Sequence, residues 1–312
     1  MPTVMIAGAA GFVGRHVAAE AARQGAALAL MSHRRRPDRP GSGPGPVRYV
    51  RADLAHPHSL RGVCEGVDVL LHCASRIGGT PEENVTVNAR GTAALVAEAQ
   101  RAGVSRIVYL STASVYGRGT FSGVLPGDIE RRPRSSTSRT RALAEDVVLA
   151  AGGFVLRPYL VYGRGDAWVV PGLARLVRSL PGGTSGWNAR LSVIPVTALA
   201  ALLAGVGLAP RERLSASVYH AALPDPVPTS QLLRAVADFA GIGPAGPEIS
   251  PARARAWLRE DREASSALDM VATDHWFDSA QIWMDLGCAV PGAAAETHLS
   301  RLREWYAERA EA

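Results

Sequence analysis

The sequence predicts an α/β protein in which a doubly wound parallel sheet precedes a smaller, mostly helical C-terminal region. Three observations lead to this class. Short apolar runs alternate with helical patterns up to about residue 164, glycines follow the first run, and proline, glycine and tryptophan break the rhythm afterwards. Strands alternating with helices form parallel sheets covered on both faces. We therefore expect one domain over 1–164 and a second region over 165–312, some of whose segments return to the sheet.

The individual elements follow from the apolar pattern. The run TVMIA, residues 3–7, predicts the first strand, and the helical pattern after it extends to about Gln24. Further apolar runs predict strands at 27–31, 47–52, 67–74, 105–111 and 154–163. Helices are predicted near 58–65, over 84–102 and from 135 onwards. Tryptophans mark the second region, which we expect to cover the carboxyl edge of the sheet: Trp168, Trp187, Trp257, Trp276, Trp283 and Trp305.

Composition excludes several classes of function. All 34 basic residues are arginine, so a mechanism that needs a lysine is excluded. They are spread along the chain despite the net charge of +6, which argues against nucleic acid as a partner. Three scattered cysteines favour neither a disulfide framework nor a metal site. Without an export signal or an apolar stretch of about 18 residues, we expect a soluble, cytoplasmic protein that has no membrane partner.

A glycine-rich turn follows the first predicted strand. Gly8, Gly11 and Gly14 open the first helix, with the spacing GxxGxxG. In a dinucleotide site one such glycine makes the tight turn, one admits the pyrophosphate and one packs the helix on the strand. The turn therefore predicts a Rossmann-like dinucleotide site, to which Ala10, Phe12 and Val13 would also contribute.

Six segments in order resemble the extended branch of the short-chain dehydrogenase/reductase superfamily, which contains sugar epimerases and dehydratases. The segments are GAAGFVG, VRADL, VDVLLHCAS, NARGT, YLSTASVYG and VLRPYLVYGRGD, and HWFDSAQIWMDLG is similar to the closing motif of the branch. The resemblance implies cofactor contacts at Asp53, Leu54, Cys73, Ala74, Ser75, Asn88 and Pro158. It also implies that Thr112 is the catalytic Ser or Thr of the family.

Cofactor preference is predicted from the end of the second strand. An NAD enzyme carries an acidic residue there, which binds the ribose diol. This chain has Ser32, His33, Arg34 and Arg35 instead, and guanidinium groups can bind a 2′-phosphate. We therefore expect NADP(H); the alternative is a solvated basic loop.

The family's catalytic tyrosine and lysine are missing. The resemblance implies that they lie one helical turn apart near the start of the helix from 135, where this chain has Thr137 and Arg141. None of the seven tyrosines is followed by arginine four positions later, so no shift of register restores the pair. Epimerase or dehydratase activity is thereby put in doubt. Arg141 can still bond ribose hydroxyls, but it cannot release its proton at working pH.

Three sources of the proton remain open. Tyr116 or Tyr159 could donate it, although the bland interpretation, that both are wall residues, is favoured. Water held by Thr112 or Thr137 could donate it. An acidic phenol or enol beside the carbonyl could protonate the oxygen from within the substrate, which requires no acidic side chain.

In lacking this tyrosine and lysine, the chain resembles the atypical ketoreductases of aromatic polyketide pathways. This resemblance implies an NADPH-dependent ketoreductase acting on a small polycyclic aromatic ketone, with no particular oligomeric state predicted. The alternatives are a catalytically silent NADP(H)-binding sensor or scaffold and a redox-neutral epimerase or isomerase. His72 is interpreted as a packed core residue and the pair His56 and His58 as a surface turn, while Arg76 could bind a ligand or lie in an exposed loop.

Overall fold

The computed structural model describes residues 1–41, 43–243, 246–289 and 306. The strands of this part are β1 (Thr3–Ala7), β2 (Ala27–Ser32), β3 (Val47–Arg51), β4 (Val69–His72), β5 (Arg106–Leu110), β6 (Phe121–Val124), β7 (Phe154–Arg157), β8 (Leu160–Tyr162), β9 (Arg190–Leu191), β10 (Val193–Pro195), β11 (Val218–His220), β12 (Val227–Pro228) and β13 (His275–Phe277). The helices are α1 (Phe12–Arg23), α2 (Pro81–Asn84), α3 (Thr92–Arg101), α4 (Ser136–Ala150), α5 (Val169–Ser179), α6 (Val196–Leu208), α7 (Thr229–Phe239), α8 (Pro251–Trp257), α9 (Arg262–Val271) and α10 (Ala280–Leu286). Trp305 lies outside the described residues.

Seven parallel strands form the main sheet, in the order β11-β7-β5-β4-β1-β2-β3. The strand order reverses between β1 and β4, because the chain runs outward through β2 and β3 and then returns. Ligands of open α/β sheets bind outside the carboxyl ends of the strands at such a reversal. The fold therefore directs attention to the ends of β1, β2, β4 and β5.

The central strands are apolar throughout because helices cover both faces of the sheet. Along β1, Val4 and Ile6 belong to one hydrophobic cluster, whereas Met5 and Ala7 belong to the cluster on the other face. All four side chains are fully buried. Successive side chains of β1 thus point to opposite faces of the sheet, although the sequence shows no alternation of polar and apolar residues.

Segments of the C-terminal half contribute to both parts of the fold. The strand β11 extends the main sheet beside β7, and α6 packs on α1. A Cβ atom built on Gly207 of α6 would lie 2.8 Å from Leu71 Cδ2, so the helix packs closely on β4. The other C-terminal segments form α5, α7, α8, α9 and the pair β10-β8, and together with β6 from the N-terminal half they form a four-stranded sheet of order β12-β9-β13-β6.

Three predicted elements differ from the structure. The strand predicted over 154–163 is divided by Pro158, which has no N–H to donate to a ladder, and β7 and β8 pair in different sheets. The helix predicted near 58–65 is a single 3₁₀ turn, Pro57–Leu60, because Gly62 and Gly66 have φ of +74° and +67°. The helix predicted over 84–102 contains a π-helical segment, Val85–Gly91, between α2 and α3.

Within the described residues, none of the helices has the length and apolar character needed to cross a bilayer. The same ranges contain no cluster of three or more His, Cys, Asp or Glu side chains that could hold a metal ion.

Candidate active site

Two contiguous clefts lie at the carboxyl ends of the central strands. Their volumes are about 650 Å³ and 600 Å³. Both are lined by Gly8, Ser32, His33, Arg34, Ala74 and Ser75. The larger cleft, here called the reaction cleft, continues to Thr112, Arg141 and Pro158, while the smaller, here called the adenosine cleft, continues to Asp53 and Leu54. Because they share these residues, the two clefts are continuous along the end of the sheet where the sequence predicts a dinucleotide site.

The glycine turn can be built only from glycines at two positions. Gly8 has φ of +85°, and a Cβ atom on it would lie 2.8 Å from Ala74 Cα. A Cβ atom on Gly14 would lie 2.1 Å from the carbonyl oxygen of Gly8. Gly11 is the N-cap of α1, and no side chain caps the helix. Open amide groups and the positive end of the helix dipole favour an anion at this point, so the residues fit a pyrophosphate.

At the adenosine cleft, Asp53 is held by its own loop. One carboxylate oxygen accepts a hydrogen bond from Ala55 N at 2.9 Å, and the other lies 3.2 Å from His56 Nδ1. Burial opposes ionisation of Asp53, but these two hydrogen bonds, together with the fields of His33 and His56, outweigh it and lower the pKa of the carboxyl group. The backbone of Leu54 lies against Gly91, where a Cβ atom would come within 2.5 Å of Leu54 O. This contact explains the glycine of the NARGT segment.

The basic loop after β2 distributes its arginines among different tasks. Arg35 donates to the carbonyl of Ala10, and the guanidinium of Arg36 lies 4.0 Å from the centroid of the Tyr49 ring. The hydroxyl of Ser32 donates to Arg35 O at 2.7 Å, so its proton is used within the loop. Arg34 lines both clefts and makes neither a hydrogen bond nor an ion pair within the described part of the chain.

The turn after β4 brings Cys73, Ala74 and Ser75 to the reaction cleft. Burial raises the pKa of the Cys73 thiol to about 12, against the opposing field of Arg141, so the thiol is neutral. Asn88 lines neither cleft. It is buried behind the turn, where its side chain accepts from Arg76 N at 2.7 Å and donates to Arg76 O at 3.0 Å. Asn88 therefore acts on the groove only by fixing the segment that lines it.

Thr112 lies at the end of β5, in the reaction cleft. It is the N-cap of the 3₁₀ turn Ala113–Tyr116, and its Oγ1 accepts from Ser114 N at 3.2 Å. The same hydroxyl donates to Ser114 Oγ at 3.2 Å. Pro158 and Leu110 line the cleft beside it. To donate to a carbonyl oxygen placed in the cleft, this hydroxyl must turn its proton away from Ser114 Oγ, a contact that at 3.2 Å is long for two hydroxyl groups.

Arg141 also lines the reaction cleft, although the residue is only 8% exposed. Its Nη2 donates to Leu110 O at 2.5 Å, and its Nε is buried without a hydrogen-bond partner. The guanidinium carbon lies 6.0 Å from the centroid of the Tyr109 ring. Within the described residues no carboxylate comes within ion-pair distance of this guanidinium.

The structure separates the other predicted catalytic residues from the cleft. Thr137 lines neither cleft and donates to Asn84 Oδ1 at 3.1 Å. Tyr116 is buried, and its hydroxyl accepts from Arg157 Nη1 at 2.7 Å. Because His220 Nδ1 faces the Asp278 carbonyl, the Tyr116 hydroxyl donates to His220 Nε2, at 2.6 Å. Burial raises the pKa of Tyr116 against the opposing field of Arg157.

Tyr159 does line the reaction cleft, but its proton is engaged elsewhere. The hydroxyl donates to Met270 O at 2.8 Å, and the ring stacks on His275 with centroids 5.1 Å apart. Burial, with a smaller effect of Asp269, raises the pKa of this phenol well above its usual value. The aromatic ring therefore forms a wall of the cleft, while the hydroxyl ties β7–β8 to α9.

A buried ionic network behind Thr112 was not predicted. Arg157 and Glu145 form a two-point ion pair, and Glu145 also accepts hydrogen bonds from Ser111 Oγ and from Arg131 Nη1. Ser111 lines the reaction cleft, so the network reaches the residue before Thr112. The only sequence signals for it are an acidic residue four positions after Arg141 and an arginine before Pro158.

Apolar side chains that were not singled out as site residues complete the reaction cleft: Ile77, Val161, Trp168, Val169 and Leu199. Ile77 and Trp168 are 54% and 64% exposed, which is unusual for large apolar residues and is typical of a binding surface. Asp166 is the carboxylate of this lining, and it accepts hydrogen bonds from the amides of Trp168, Val169 and Val170.

Three residues with open interpretations have simple positions. His72 is fully buried, with Nε2 2.9 Å from Thr92 Oγ1. His56 and His58 are exposed in the turn before and within Pro57–Leu60. Arg76 lines the adenosine cleft and pairs with Glu83 at 2.8 Å.

Comparison with known proteins places the chain among nicotinamide enzymes. The family described as NAD dependent epimerase/dehydratase matches residues 4–182. The 2-alkyl-3-oxoalkanoate reductase of Stenotrophomonas maltophilia (strain K279a) is 28% identical, over 96% of this chain and 98% of that enzyme. The 4-hydroxy-2-methyl-3-oxo-4-farnesyl-3,4-dihydroquinoline-1-oxide ketoreductase of Stigmatella aurantiaca is 26% identical, over 56% of this chain and 54% of that enzyme.

Among solved structures, MoeE5 in complex with UDP-glucose and NAD superposes with a TM-score of 0.74 and 22% identity, over the whole of both chains. This likeness confirms the predicted Rossmann-like α/β class.

Proposed function

The chain belongs to the NAD dependent epimerase/dehydratase family, and from this premise we propose that it is an NADPH-dependent ketoreductase of a polycyclic aromatic ketone. The single observation that carries the proposal is the content of the reaction cleft. Beside Thr112 the lining offers a hydroxyl and a guanidinium, whereas the Tyr159 hydroxyl is bonded to Met270 O and the Tyr116 hydroxyl lies outside the cleft. Such a cleft can polarise a carbonyl, but its described lining presents no free base for epimerisation or dehydration, because Asp166, the carboxylate among these residues, is held by three backbone amides.

NADP(H) is proposed over NAD(H) because of Arg34. Its guanidinium lies at the junction of the two clefts and has no protein partner among the described residues, and the four residues directly after β2, His33 to Arg36, include no acid that would repel a 2′-phosphate. His33 lines the same junction and can add a donor. The Ser32 hydroxyl can accept a hydrogen bond from the cofactor, or it can donate one to the 2′-phosphate after breaking its hydrogen bond to Arg35 O. When bound, the reduced cofactor supplies a hydride for the carbonyl carbon.

The roles of the chain's own residues follow from their positions. Thr112 donates a hydrogen bond to the carbonyl oxygen, a type of contact worth about 3 to 4 kcal/mol in the transition state. Pro158 and the Tyr159 ring form one wall, and Ile77 and Trp168 cover the flat faces of the substrate. The proton comes from an acidic group of the substrate itself, because the described lining at this end offers no side-chain acid in a suitable position.

The substrate class is supported by apolar walls and by the relatives. The named relatives are reductases of oxo compounds, and one is named for a 3-oxo-dihydroquinoline-1-oxide, a bicyclic ketone that carries a farnesyl chain. We place the substrate among aromatic polyketide ketones because Thr137 and Arg141 replace the family's Tyr and Lys, as in atypical ketoreductases of those pathways. The angucyclinone 7-ketoreductase of simocyclinone biosynthesis is the counterpart that we propose for this chain.

The experiment is a measurement of NADPH oxidation by the purified chain with three groups of compounds: polycyclic aromatic ketones, 2-alkyl-3-oxoalkanoates and nucleotide sugars. We expect oxidation with the first group and an alcohol product two mass units heavier by elementary stoichiometry. Turnover only with the second group would mean that the substrate is a β-oxo acid and not a polycyclic aromatic ketone. An epimerised sugar with unchanged cofactor would overturn the proposal.

A catalytically silent NADP(H)-binding protein is the second candidate, because the same lack of a side-chain acid beside Thr112 would suit it. It predicts tight NADPH binding by calorimetry without NADPH consumption with any ketone of the panel.

A further inference from the structure

Arg141 is a buried cation whose charge is not paired. It is 8% exposed, donates one hydrogen bond to a neutral carbonyl, and leaves its buried Nε without a partner. Removal of a guanidinium from water costs several kcal/mol unless an anion or further hydrogen bonds compensate it. By contrast, the buried Arg157 has a carboxylate on two of its nitrogens. The two buried arginines therefore differ: the charge of Arg157 is balanced by a carboxylate, and the charge of Arg141, in the cleft, is not.

The neighbours of Arg141 in the reaction cleft do not neutralise it. The thiol of Cys73 is neutral, with a pKa raised to about 12 by burial, and the phenol of Tyr159 is neutral for the same reason. Asp166 is engaged by three backbone amides and does not reach ion-pair distance of Arg141. The positive charge of Arg141 acts on nearby groups: burial lowers the pKa of His72, and the field of Arg141 lowers it further.

Arg141 and Thr112 both line the reaction cleft where β5 ends. The guanidinium binds the carbonyl of Leu110, two residues before Thr112, and both side chains line the same cleft. Two oxygens of one substrate can therefore contact them at once if those oxygens are near each other. In a 1,3-related pair, such as a ketone beside an enol or phenol, the oxygens are about 2.5 to 3.0 Å apart.

We propose that Arg141 binds an acidic oxygen of the substrate, an enol, phenol or carboxylate oxygen 1,3-related to the carbonyl that Thr112 binds. The inference rests on the proposed ketoreductase function and narrows its substrate class to ketones that carry such a second oxygen. A neutral ketone without this oxygen leaves the cation unpaired and is a poor ligand.

Arg141 also acts on the chemistry when the oxygen is a phenol or enol. The carbonyl carbon gains a hydride from the reduced nicotinamide, which is oxidised, and the carbonyl oxygen takes the proton of the neighbouring hydroxyl. That hydroxyl becomes an oxyanion paired with Arg141, and water later reprotonates it. A cation beside the hydroxyl lowers its pKa toward the working pH, where proton donation is most effective. A carboxylate would bind in the same way, with the proton then taken from water.

The test uses 1-hydroxyanthraquinone, a coloured phenol whose hydroxyl adjoins a carbonyl and whose absorbance reports ionisation. It is titrated with pH on the wild-type chain, in the absence of NADPH, and on the variants Arg141→Gln and Arg141→Lys. We expect wild type to lower the pKa of the bound phenol by about 1 to 3 units. Arg141→Gln should abolish the shift and weaken binding at least tenfold, Arg141→Lys should retain part of it, and unsubstituted anthraquinone should bind all three proteins equally.

Anthraquinone-1-carboxylate distinguishes the two sources of the oxygen. Arg141-dependent binding of the carboxylate without a shift for the phenol supports the proposal in its carboxylate form. The proposal is overturned if neither ligand depends on Arg141, or if Arg141→Gln weakens only NADPH, as expected for a residue that serves the ribose alone. An unshifted phenol and an unbound carboxylate on wild type overturn it even if the variants fail to fold. Because no turnover is needed, this result is independent of whether NADPH oxidation is observed.

Discussion

Arg157 and Glu145 form a two-point ion pair in the interior, with Nε 3.0 Å from Oε1 and Nη2 2.6 Å from Oε2. Arg157 is 5% exposed and Glu145 is fully buried. The pair connects α4, which carries Arg141, to β7, which leads into Pro158. Because Glu145 also accepts from Ser111, the ion pair fixes three segments that line the reaction cleft.

Glu145→Gln should therefore destabilise the fold strongly. The substitution keeps the shape of the side chain but leaves the Arg157 charge buried without its anion, which costs about 3 to 5 kcal/mol. Urea unfolding measures the loss. The control is Glu130→Gln, whose partner Arg132 is 77% exposed and whose removal should cost under about 1 kcal/mol. Equal stabilities of the two variants would contradict the role given to the interior pair.

Gly14→Ala should disrupt the dinucleotide turn. Its Cβ atom would lie 2.1 Å from the carbonyl oxygen of Gly8, so the turn or α1 must move. Displacement of backbone in a packed region costs about 1 to 3 kcal/mol, and we expect NADPH affinity to fall about tenfold or more. Calorimetry measures the affinity. Gly127→Ala is the matched control, because a Cβ atom at Gly127 meets nothing within 4 Å. An unchanged affinity for Gly14→Ala would place the pyrophosphate elsewhere.

Arg34→Ala should reduce the preference for NADPH over NADH. A charge-assisted hydrogen bond contributes about 1.5 to 3 kcal/mol, so the ratio of the two affinities should fall about 10- to 150-fold. NADH binding should change little, since it has no 2′-phosphate. Arg61→Ala serves as the control, because this exposed arginine lines neither cleft. A wild-type preference for NADH would contradict the cofactor proposal directly.

Thr112→Val should reduce kcat about 10²- to 10³-fold, because it removes the hydrogen bond to the carbonyl oxygen and retains the shape. Thr112→Ser, which keeps a hydroxyl, should retain most of the rate. Thr137→Ala and Tyr159→Phe should also remain active, since these hydroxyls bond to Asn84 and Met270. Steady-state NADPH oxidation measures all four. A severe loss of kcat in Tyr159→Phe would mean that the Tyr159 hydroxyl is the proton donor.

Tyr116→Phe tests stability more than chemistry. Its hydroxyl joins Arg157 to His220, so the variant leaves two buried groups short of a partner at a cost of about 1 to 3 kcal/mol. We expect a lower midpoint of urea unfolding with kcat close to wild type. Loss of kcat at unchanged stability would show that Tyr116 reaches the substrate.

The parallel sheet could be predicted because the alternation of strands and helices is a local pattern, whereas the order of its strands was not predicted. The run 3–7 is followed by glycines that the close contacts of Gly8 and Gly14 require, and burial on both faces makes the strands uniformly apolar. The division at Pro158 could have been predicted as well, since proline cannot donate to a ladder. The π-helical segment Val85–Gly91 carries no such signal.

The function of the tyrosines could not be predicted from the sequence, because it depends on distant contacts. Tyr116 bonds to a histidine 104 residues away, and Tyr159 to a carbonyl 111 residues away. Near the start of α4, one turn of helix separates Thr137, which faces Asn84, from Arg141, which lines the cleft. Only the assembled fold shows which hydroxyls are already engaged.

Two buried histidines should make the fold sensitive to mild acid. Burial, with a smaller effect of Arg141, lowers the pKa of His72 to about 3. Burial lowers the pKa of His220 to about 4; the hydrogen bond to the Asp278 carbonyl opposes this shift and the charge of Arg157 adds to it. The ordinary value is 6.5, so the unfolded chain takes up both protons first as the pH falls. Stability should be complete above about pH 6.5 and decline below it, by about 2 kcal/mol per histidine at pH 5.

Urea unfolding between pH 7 and 5 measures this decline and avoids the range in which most carboxylates titrate. His72→Gln and His220→Gln should each remove part of the pH dependence, whatever their effect on stability at pH 7. His58→Gln is the matched control, because this exposed histidine should contribute no slope. If the slope of the double variant equals that of wild type, the buried imidazoles are not the groups that take up protons on unfolding.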